Sequence, residues 1–195
     1  HMRFLSHCVV LATVLQIVVA GSTAATPNAV APDFGPNVKI LDPGMSTADI
    51  KAVLDSISSQ QVSEFGTGRY AVLFMPGAYG TGASPLNFEV GYYEEVAGLG
   101  VSPNGVTITG TADVYNQCNS TGCYALANFW RSLSNVTIHI DTSRKSGCHR
   151  AGNFWATSQQ APLRRVQIDS GFFTLMDFCT GPSYASGGFI SDSVI

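Results

Sequence analysis

Apolar positions along the chain follow two different rhythms. Ile50, Val53, Leu54 and Ile57 recur at i, i+3, i+4 and i+7 behind Ser46-Thr47, the spacing of one buried helical stripe with a capping hydroxyl at its start. This predicts an amphipathic helix from Ala48 to Ile57. The run from Tyr70 to Met75 is short and wholly apolar, which suits a strand covered on both faces, and Pro76-Gly77 ends it as a turn. Beyond that point the helical period disappears. Short β-branched anchors take over: Val106-Thr107-Ile108, Val136-Thr137-Ile138, Val166-Gln167-Ile168 and Val194-Ile195, at intervals of 30, 30 and 28 residues. Asn128-Phe129-Trp130 and Asn153-Phe154-Trp155 travel with them, and the stretch from Gly188 to Val194 repeats the pattern loosely.

A near-constant period of short strands is the mark of a solenoid, because one coil cannot bury its apolar side alone and must stack on the next. The expected fold class is therefore all-β, a parallel solenoid whose helix caps the open end where strand edges need cover. A sandwich or jelly roll is the weaker alternative. It needs hairpin turns at short intervals, and only Asn104-Gly105 supplies that signal.

The N-terminus reads as an export signal. His1-Met2 is a cloning remnant, Arg3 supplies the positive charge, an apolar stretch runs from Cys8 to Ala20, and Ser22-Thr23-Ala24 offers a small-x-small cleavage site. The expected organisation is a signal peptide over 1–25, a flexible Pro/Ala/Asn-rich lead-in over 26–37, and solenoid coils over 38–195. The last residues, Ser193-Val194-Ile195, fall inside an expected strand, so the coils read as the N-terminal part of a longer solenoid. The expected location is secreted and extracellular, with no membrane attachment after cleavage.

Charged residues make up 12% of the chain and the formal net charge is -3. Clustered cations of the kind that hold a polyphosphate backbone are missing, which excludes nucleic acid as a partner. Without Cys8, four cysteines remain and permit three pairings. The Gly-containing loop of 119–122 favours Cys118 with Cys123, leaving Cys148 for Cys179; an even count in an exported chain suits two disulfides. A zinc site is the alternative, for which only Cys148-His149 are close in sequence. Asn119-Ser120-Thr121 and Asn135-Val136-Thr137 are glycosylation sequons. No cofactor or metal is expected: Gly98-Leu99-Gly100 lacks the ending of a phosphate loop, no acidic EF-hand loop occurs, and neither His139 nor His149 sits in a nucleophile motif.

The residues 49–54 followed by Val72-Leu73-Phe74-Met75-Pro76-Gly77-Ala78-Tyr79 resemble the opening of the pectin-lyase-like superfamily of right-handed parallel β-helix proteins. That group contains glycosidases, polysaccharide lyases, esterases and tailspikes, so the resemblance implies a right-handed β-helix and only weakly a chemistry. The segments 128–138, 175–179 and 184–189 are also similar to secreted microbial carbohydrate-active proteins. The function expected is a secreted glycoside hydrolase acting on a glucan-like cell-wall polysaccharide. A non-catalytic carbohydrate-binding or adhesion module and a polysaccharide lyase are the alternatives.

Glycoside hydrolysis needs a carboxylic acid and a second carboxylate across the scissile bond. Asp177, between Met176 and Phe178, has the apolar neighbours that suit an acid, and Asp192 follows one coil later. Glu94-Glu95 forms another candidate pair, of which only one, here Glu95, can face a groove because adjacent strand residues point oppositely. Trp130, Trp155, Tyr93 and Tyr115 are candidate sugar platforms, and Arg131 a candidate partner for an acidic sugar.

Overall fold

The computed structural model describes residues 32–186 and 188–195. The expected signal peptide and the first part of the lead-in lie outside the described residues. The unit Phe34–Ile195 is mostly β. Its strands are β1 (Val38–Leu41), β2 (Tyr70–Phe74), β3 (Gly77–Tyr79), β4 (Leu86–Glu89), β5 (Glu94–Gly98), β6 (Val106–Asp113), β7 (Gln117–Asn119), β8 (Gly122–Tyr124), β9 (Arg131–Ile140), β10 (Asn153–Phe154), β11 (Pro162–Ser170), β12 (Phe173–Thr174) and β13 (Phe189–Ser191). One helix, α1 (Thr47–Gln60), stands between β1 and β2.

The helix forms where the apolar stripe placed it. Ser46 caps it, accepting the Asp49 N–H at 3.1 Å, and its hydroxyl donates to the Asp49 carboxylate at 2.7 Å, so one of the helix's orphaned first-turn donors is satisfied and the cap is held in place. Ile50, Leu54 and Ile57 are buried in the core cluster, and Val53 is partly buried at its edge. The helix packs against β4.

Apart from the small antiparallel hairpin of β7 and β8, the strand ladders pair in parallel. The main sheet runs β1-β2-β5-β9-β11-β13, with β3 and β4 joined through β6 to β9. The β-branched anchors meet in register: Ile108 opposite Ile138, Val166 opposite Val136, Ile168 opposite Ile138. The last anchor forms a single bridge, Val194 to Gln167, instead of a strand. Stacked Val, Ile and Leu side chains from successive strands make one continuous apolar interior with Phe74, Phe88 and Trp155.

The long strands are bent, and the bends are the device that shapes the sheet. Residues Arg131–Ser134 of β9 pair with β5, whereas Thr137–Ile140 pair with β6. Between them Asn135 adopts φ +54, in the left-handed region that asparagine tolerates better than most residues. Its Nδ2 donates to the carbonyls of Gly98 and Gly100 at 2.8 and 2.6 Å, and its Oδ1 accepts from Arg165 Nε at 3.1 Å. A side chain on Gly98 would run into the Asn135 carbonyl, so the corner also explains that glycine. Arg165 and Asp192 repeat the left-handed corner one and two strands on, at φ +54 and +51.

The Pro-Gly-x-Tyr stretch is likewise structural. At Gly77 a Cβ would meet Pro43 at 2.6 Å, and the Tyr79 hydroxyl sits 2.9 Å from the Leu41 carbonyl and 2.7 Å from that of Met75, tying together the ends of β1 and β2.

Both expected disulfides are present, Cys118 with Cys123 and Cys148 with Cys179. The first closes the β7–β8 hairpin. The second joins a 3-10 turn at Gly147–Ala151 to the turn that carries Asp177. Among the described residues no helix is long and apolar enough to cross a membrane.

Candidate functional site

Where the strands of the main sheet begin, three non-glycine residues share the left-handed conformation: Tyr93, Trp130 and Gln160, at φ +55, +56 and +53. Each precedes or leads into a strand, and their backbones form a ladder, Tyr93 N–H to Trp130 O at 2.5 Å and Arg131 N–H to Gln160 O at 3.3 Å. The corner throws the side chains outward and in line. The Arg69 guanidinium carbon lies 3.4 Å from the centroid of Tyr93, whose other face stacks on Trp130 at 5.0 Å and 15°. Phe129 meets Trp130 edge-on at 4.6 Å, and the Tyr93 hydroxyl donates to the Glu64 carbonyl at 2.7 Å.

This stack walls an open groove of about 540 Å³, with Glu95 exposed along it and Gln160 at its far side. Of the candidate residues, the structure thus brings Tyr93, Glu95, Trp130 and Arg131 to one place. Their roles differ. Tyr93 lies between the Arg69 guanidinium and the Trp130 indole, so it stiffens the wall, and half-buried Trp130, with Tyr70 also in the lining, offers aromatic surface to a ligand. Arg131 is buried, its Nη1 donating to the Val90 carbonyl at 2.5 Å and its guanidinium packed over the Tyr92 ring at 4.2 Å. It turns inward, away from any sugar carboxylate in the groove.

Glu94 and Glu95 take opposite faces, as alternation along a strand requires. Glu94 is buried beside Arg131 in the ladder, with Oε2 accepting the Gly91 N–H at 2.7 Å. Its Oε1, and Nε and Nη2 of Arg131, have no partner among the described residues. Burial pushes the Glu94 carboxyl up to about 7 against the opposing pull of Gly91 and Arg131, and burial lowers Arg131 to about 10. An acid with a raised folded pKa holds its proton where the unfolded chain has lost it. Stability therefore falls as pH rises from about 4.5 through 7, and then levels. Urea melts across that window are expected to show a loss on the order of 1–3 kcal/mol, absent in Glu94→Gln. A flat profile from pH 4.5 to 7 overturns the assignment.

A second polar centre lies under α1. Asp113, almost wholly buried, accepts from Lys145 Nζ at 3.0 and 3.1 Å, from the Thr111 hydroxyl at 2.6 Å and from the Phe154 N–H at 2.9 Å. Burial first, and then Asp113, hold the Tyr115 phenol well above its ordinary value. The same two causes raise Glu89, which opens onto a small pocket of about 120 Å³ with Asp55 and Asn87. Sequence reasoning passed over Glu89. The signal was the alternation Leu86-Asn87-Phe88-Glu89, which turns it away from the core. Tyr115 packs against His149 at 4.1 Å and Phe154 at 5.8 Å, is partly buried, and lines the same small pocket as Glu89.

Asp177 is fully buried, but in polar company. Its carboxylate meets His149 Nε2 at 3.0 Å and accepts the N–H groups of Asn116 and Cys179 at 3.1 and 3.0 Å and the Thr180 hydroxyl at 3.3 Å. This is an anchor for two turns. Asp192 is exposed, sits on the corner column of Asn135 and Arg165, and pairs with Arg164 at 3.3 Å. Among the described residues the two aspartates share no hydrogen-bond or ion-pair partner. Trp155 is completely buried, its Nε1 donating to the Ala161 carbonyl at 3.3 Å, and it bridges to Val114 rather than occupying the place that Trp130 holds.

His149, Asp177 and Cys179 lie within 4.8 Å of one another, yet the Cys179 sulfur is spent in its disulfide and offers no thiolate. At His139, Asp169 and Ser170 both contact Nδ1, each at 3.1 Å. A relay from serine through imidazole to aspartate uses both ring nitrogens.

No family model matches the chain. An exo-β-1,3-glucanase from Streptomyces sp. (strain SirexAA-E / ActE) is 37% identical over 164 residues, which is 84% of this chain and 24% of that protein. Two solved structures are similar: that of sacteLam55A from Streptomyces sp. SirexAA-E, with a TM-score of 0.68 and 37% identity over 83% of this chain and 26% of that one, and that of a variant of the same protein in complex with glucose, also 0.68 and 37%, over 84% and 26%. The chain spans about a quarter of the length of the curated relative it matches. These findings correct the expected tie to the pectin-lyase-like superfamily: the similarity runs to an exo-β-1,3-glucanase, and the described strands form one large bent parallel sheet with two small satellite sheets.

Proposed function

We propose that this chain belongs to a secreted glycoside hydrolase that acts on β-1,3-linked glucan, and that the groove along Trp130 holds the polysaccharide. The observation that carries the reading is the 37% identity to an exo-β-1,3-glucanase across 84% of the chain. The groove adds what a neutral glucan needs: the indole of Trp130 for a pyranose face, Glu95 and Gln160 as hydrogen-bonding groups, and two lining cations that are both engaged elsewhere, Arg69 over Tyr93 and Arg131 on the Val90 carbonyl and the Tyr92 ring. Export through residues 1–25 belongs to the same proposal. So does the finer fold: ladders in register at a spacing of about 30 residues support coils of a parallel solenoid.

Carboxylate acid/base catalysis is the mechanism proposed for the whole enzyme. Within this groove Glu95 faces the ligand space and Glu94 turns away. That single open carboxylate favours a second reading for the chain on its own, in which it binds glucan and does not cleave it.

Release of glucose and reducing ends from β-1,3-glucan, β-1,4-glucan and pectin tests the activity. Turnover of the β-1,3-glucan alone is expected. A product that absorbs in the ultraviolet would mean a lyase and would overturn the hydrolase reading. Binding is tested by affinity electrophoresis in gels that contain each polysaccharide. Trp130→Ala is expected to weaken retention by β-1,3-glucan about tenfold, the ordinary cost of losing one buried aromatic anchor. Undiminished retention places the polysaccharide elsewhere.

A further inference from the structure

The two sequons are chemically unlike in the folded chain, and we infer that Asn119 is an N-glycan acceptor whereas Asn135 is a structural clamp closed to modification. The inference rests on the export reading for its place in the cell, but its chemistry is decided by the fold.

Asn119 lies at the end of β7, at the tip of the hairpin closed by Cys118 and Cys123, and Asn119, Ser120 and Thr121 are all exposed. Its side-chain oxygen accepts twice from Thr121, from the backbone N–H at 2.8 Å and from the hydroxyl at 2.7 Å. Its Nδ2 makes no hydrogen bond among the described residues. Two donors on the carboxamide oxygen favour the resonance form with charge on oxygen, which makes an Nδ2 proton easier to lose. That is the electronic demand of N-glycosylation, and it explains why a hydroxyl two residues on is part of the sequon.

Transfer from a lipid-pyrophosphate-linked oligosaccharide then balances. Nδ2 forms a bond to C1 of the first sugar, the bond from C1 to the pyrophosphate oxygen breaks with its electron pair, and one Nδ2 proton passes to a carboxylate of the transferase. The acceptor group must be free on the nitrogen and held on the oxygen. Asn119 meets both conditions.

Asn135 meets neither. Both of its Nδ2 hydrogens are committed to Gly98 and Gly100, and its oxygen is taken by Arg165. Thr137, which would have to serve it, is buried and donates instead to Asn104 Oδ1 at 3.0 Å. Val136 between them is fully buried. A glycan on Asn135 would replace one of the two Nδ2 hydrogens that hold the corner of β9 and set a sugar where the Gly98 or Gly100 carbonyl now sits, so a chain modified there does not reach this fold.

The test uses the oxidised, folded chain with a purified oligosaccharyltransferase and a lipid-linked oligosaccharide. Glycosidase release in heavy-oxygen water with peptide mapping reads the sites. One glycan is expected, on Asn119. Thr121→Ala is expected to abolish it without changing the thermal midpoint, whereas Thr137→Ala leaves it in place. A second arm secretes the chain from a glycosylating yeast under a foreign leader, so that failure of the chain's own export signal is scored separately, by its native leader alone. Occupancy of Asn135 in folded protein carrying both disulfides, or an empty Asn119 in both arms, overturns the inference.

Discussion

Lys145→Met is expected to lower the free energy of unfolding by about 3–5 kcal/mol, the usual cost of stranding one member of a buried ion pair. Lys145 and Asp113 expose only 7% and 3% of their side chains. The lysine also donates to the Gly152 carbonyl at 2.7 Å, and its ammonium lies 5.4 Å from the Tyr115 ring and 5.3 Å from Phe154. Methionine fills much the same volume but leaves the buried Asp113 carboxylate without its cation, met by neutral donors such as the Thr111 hydroxyl and the Phe154 N–H. The expected partial remedy is to remove the charge as well: the double variant Asp113→Asn, Lys145→Met should recover part of the loss, since the penalty comes from the unpaired carboxylate. Arg144→Ala, an exposed neighbour, should stay within about 0.5 kcal/mol. Equilibrium urea unfolding decides. Equal losses in the single and double variants would show that lost packing, not the stranded charge, sets the cost.

This pair also marks the limit of what the sequence disclosed. Periodicity revealed the helix stripe of Ile50, Leu54 and Ile57 and the anchors at Val106, Val136 and Val166, because burial on a repeating element leaves a repeating trace. Nothing periodic connects Asp113 to Lys145 across 32 residues. The left-handed corners were equally hidden. Asn135, Arg165, Tyr93 and Trp130 carry no glycine to announce a positive φ, and each corner decides which side chains face outward.

Asp177 shows how local context misleads. Its neighbours Met176 and Phe178 suggested an apolar strand, but all three residues lie in irregular chain, where Met176 and Phe178 are each 45% exposed and the aspartate is inside. The apolar side chains cover the surface there while the polar one ties the turns. The two Asn-Phe-Trp segments mislead in the same way. Asn128 and Asn153 are both buried clamps on backbone groups, yet eight residues separate Asn128 from Val136 and thirteen separate Asn153 from Val166. The longer spacing draws Trp155 into the core and leaves Trp130 on the groove.

Removing the Cys148–Cys179 disulfide, by changing both residues to Ala, is expected to cost about 3.7 kcal/mol on the loop-closure model for its 31-residue separation, against about 2 kcal/mol for Cys118–Cys123 with a separation of five. The longer bridge restricts more of the unfolded chain. It also ties the turn of His149 to the turn of Asp177, so its loss loosens the 3.0 Å contact between them and, through Asn116, the chain leading out of β6. The short bridge closes a hairpin whose strands already pair through Cys118 opposite Cys123 and Asn119 opposite Gly122, so less depends on it. Urea midpoints at unchanged slope give the two losses directly. An equal or larger cost for the Cys118–Cys123 pair would mean that the hairpin, and not the junction under Asp177, is the more strongly constrained part of the fold.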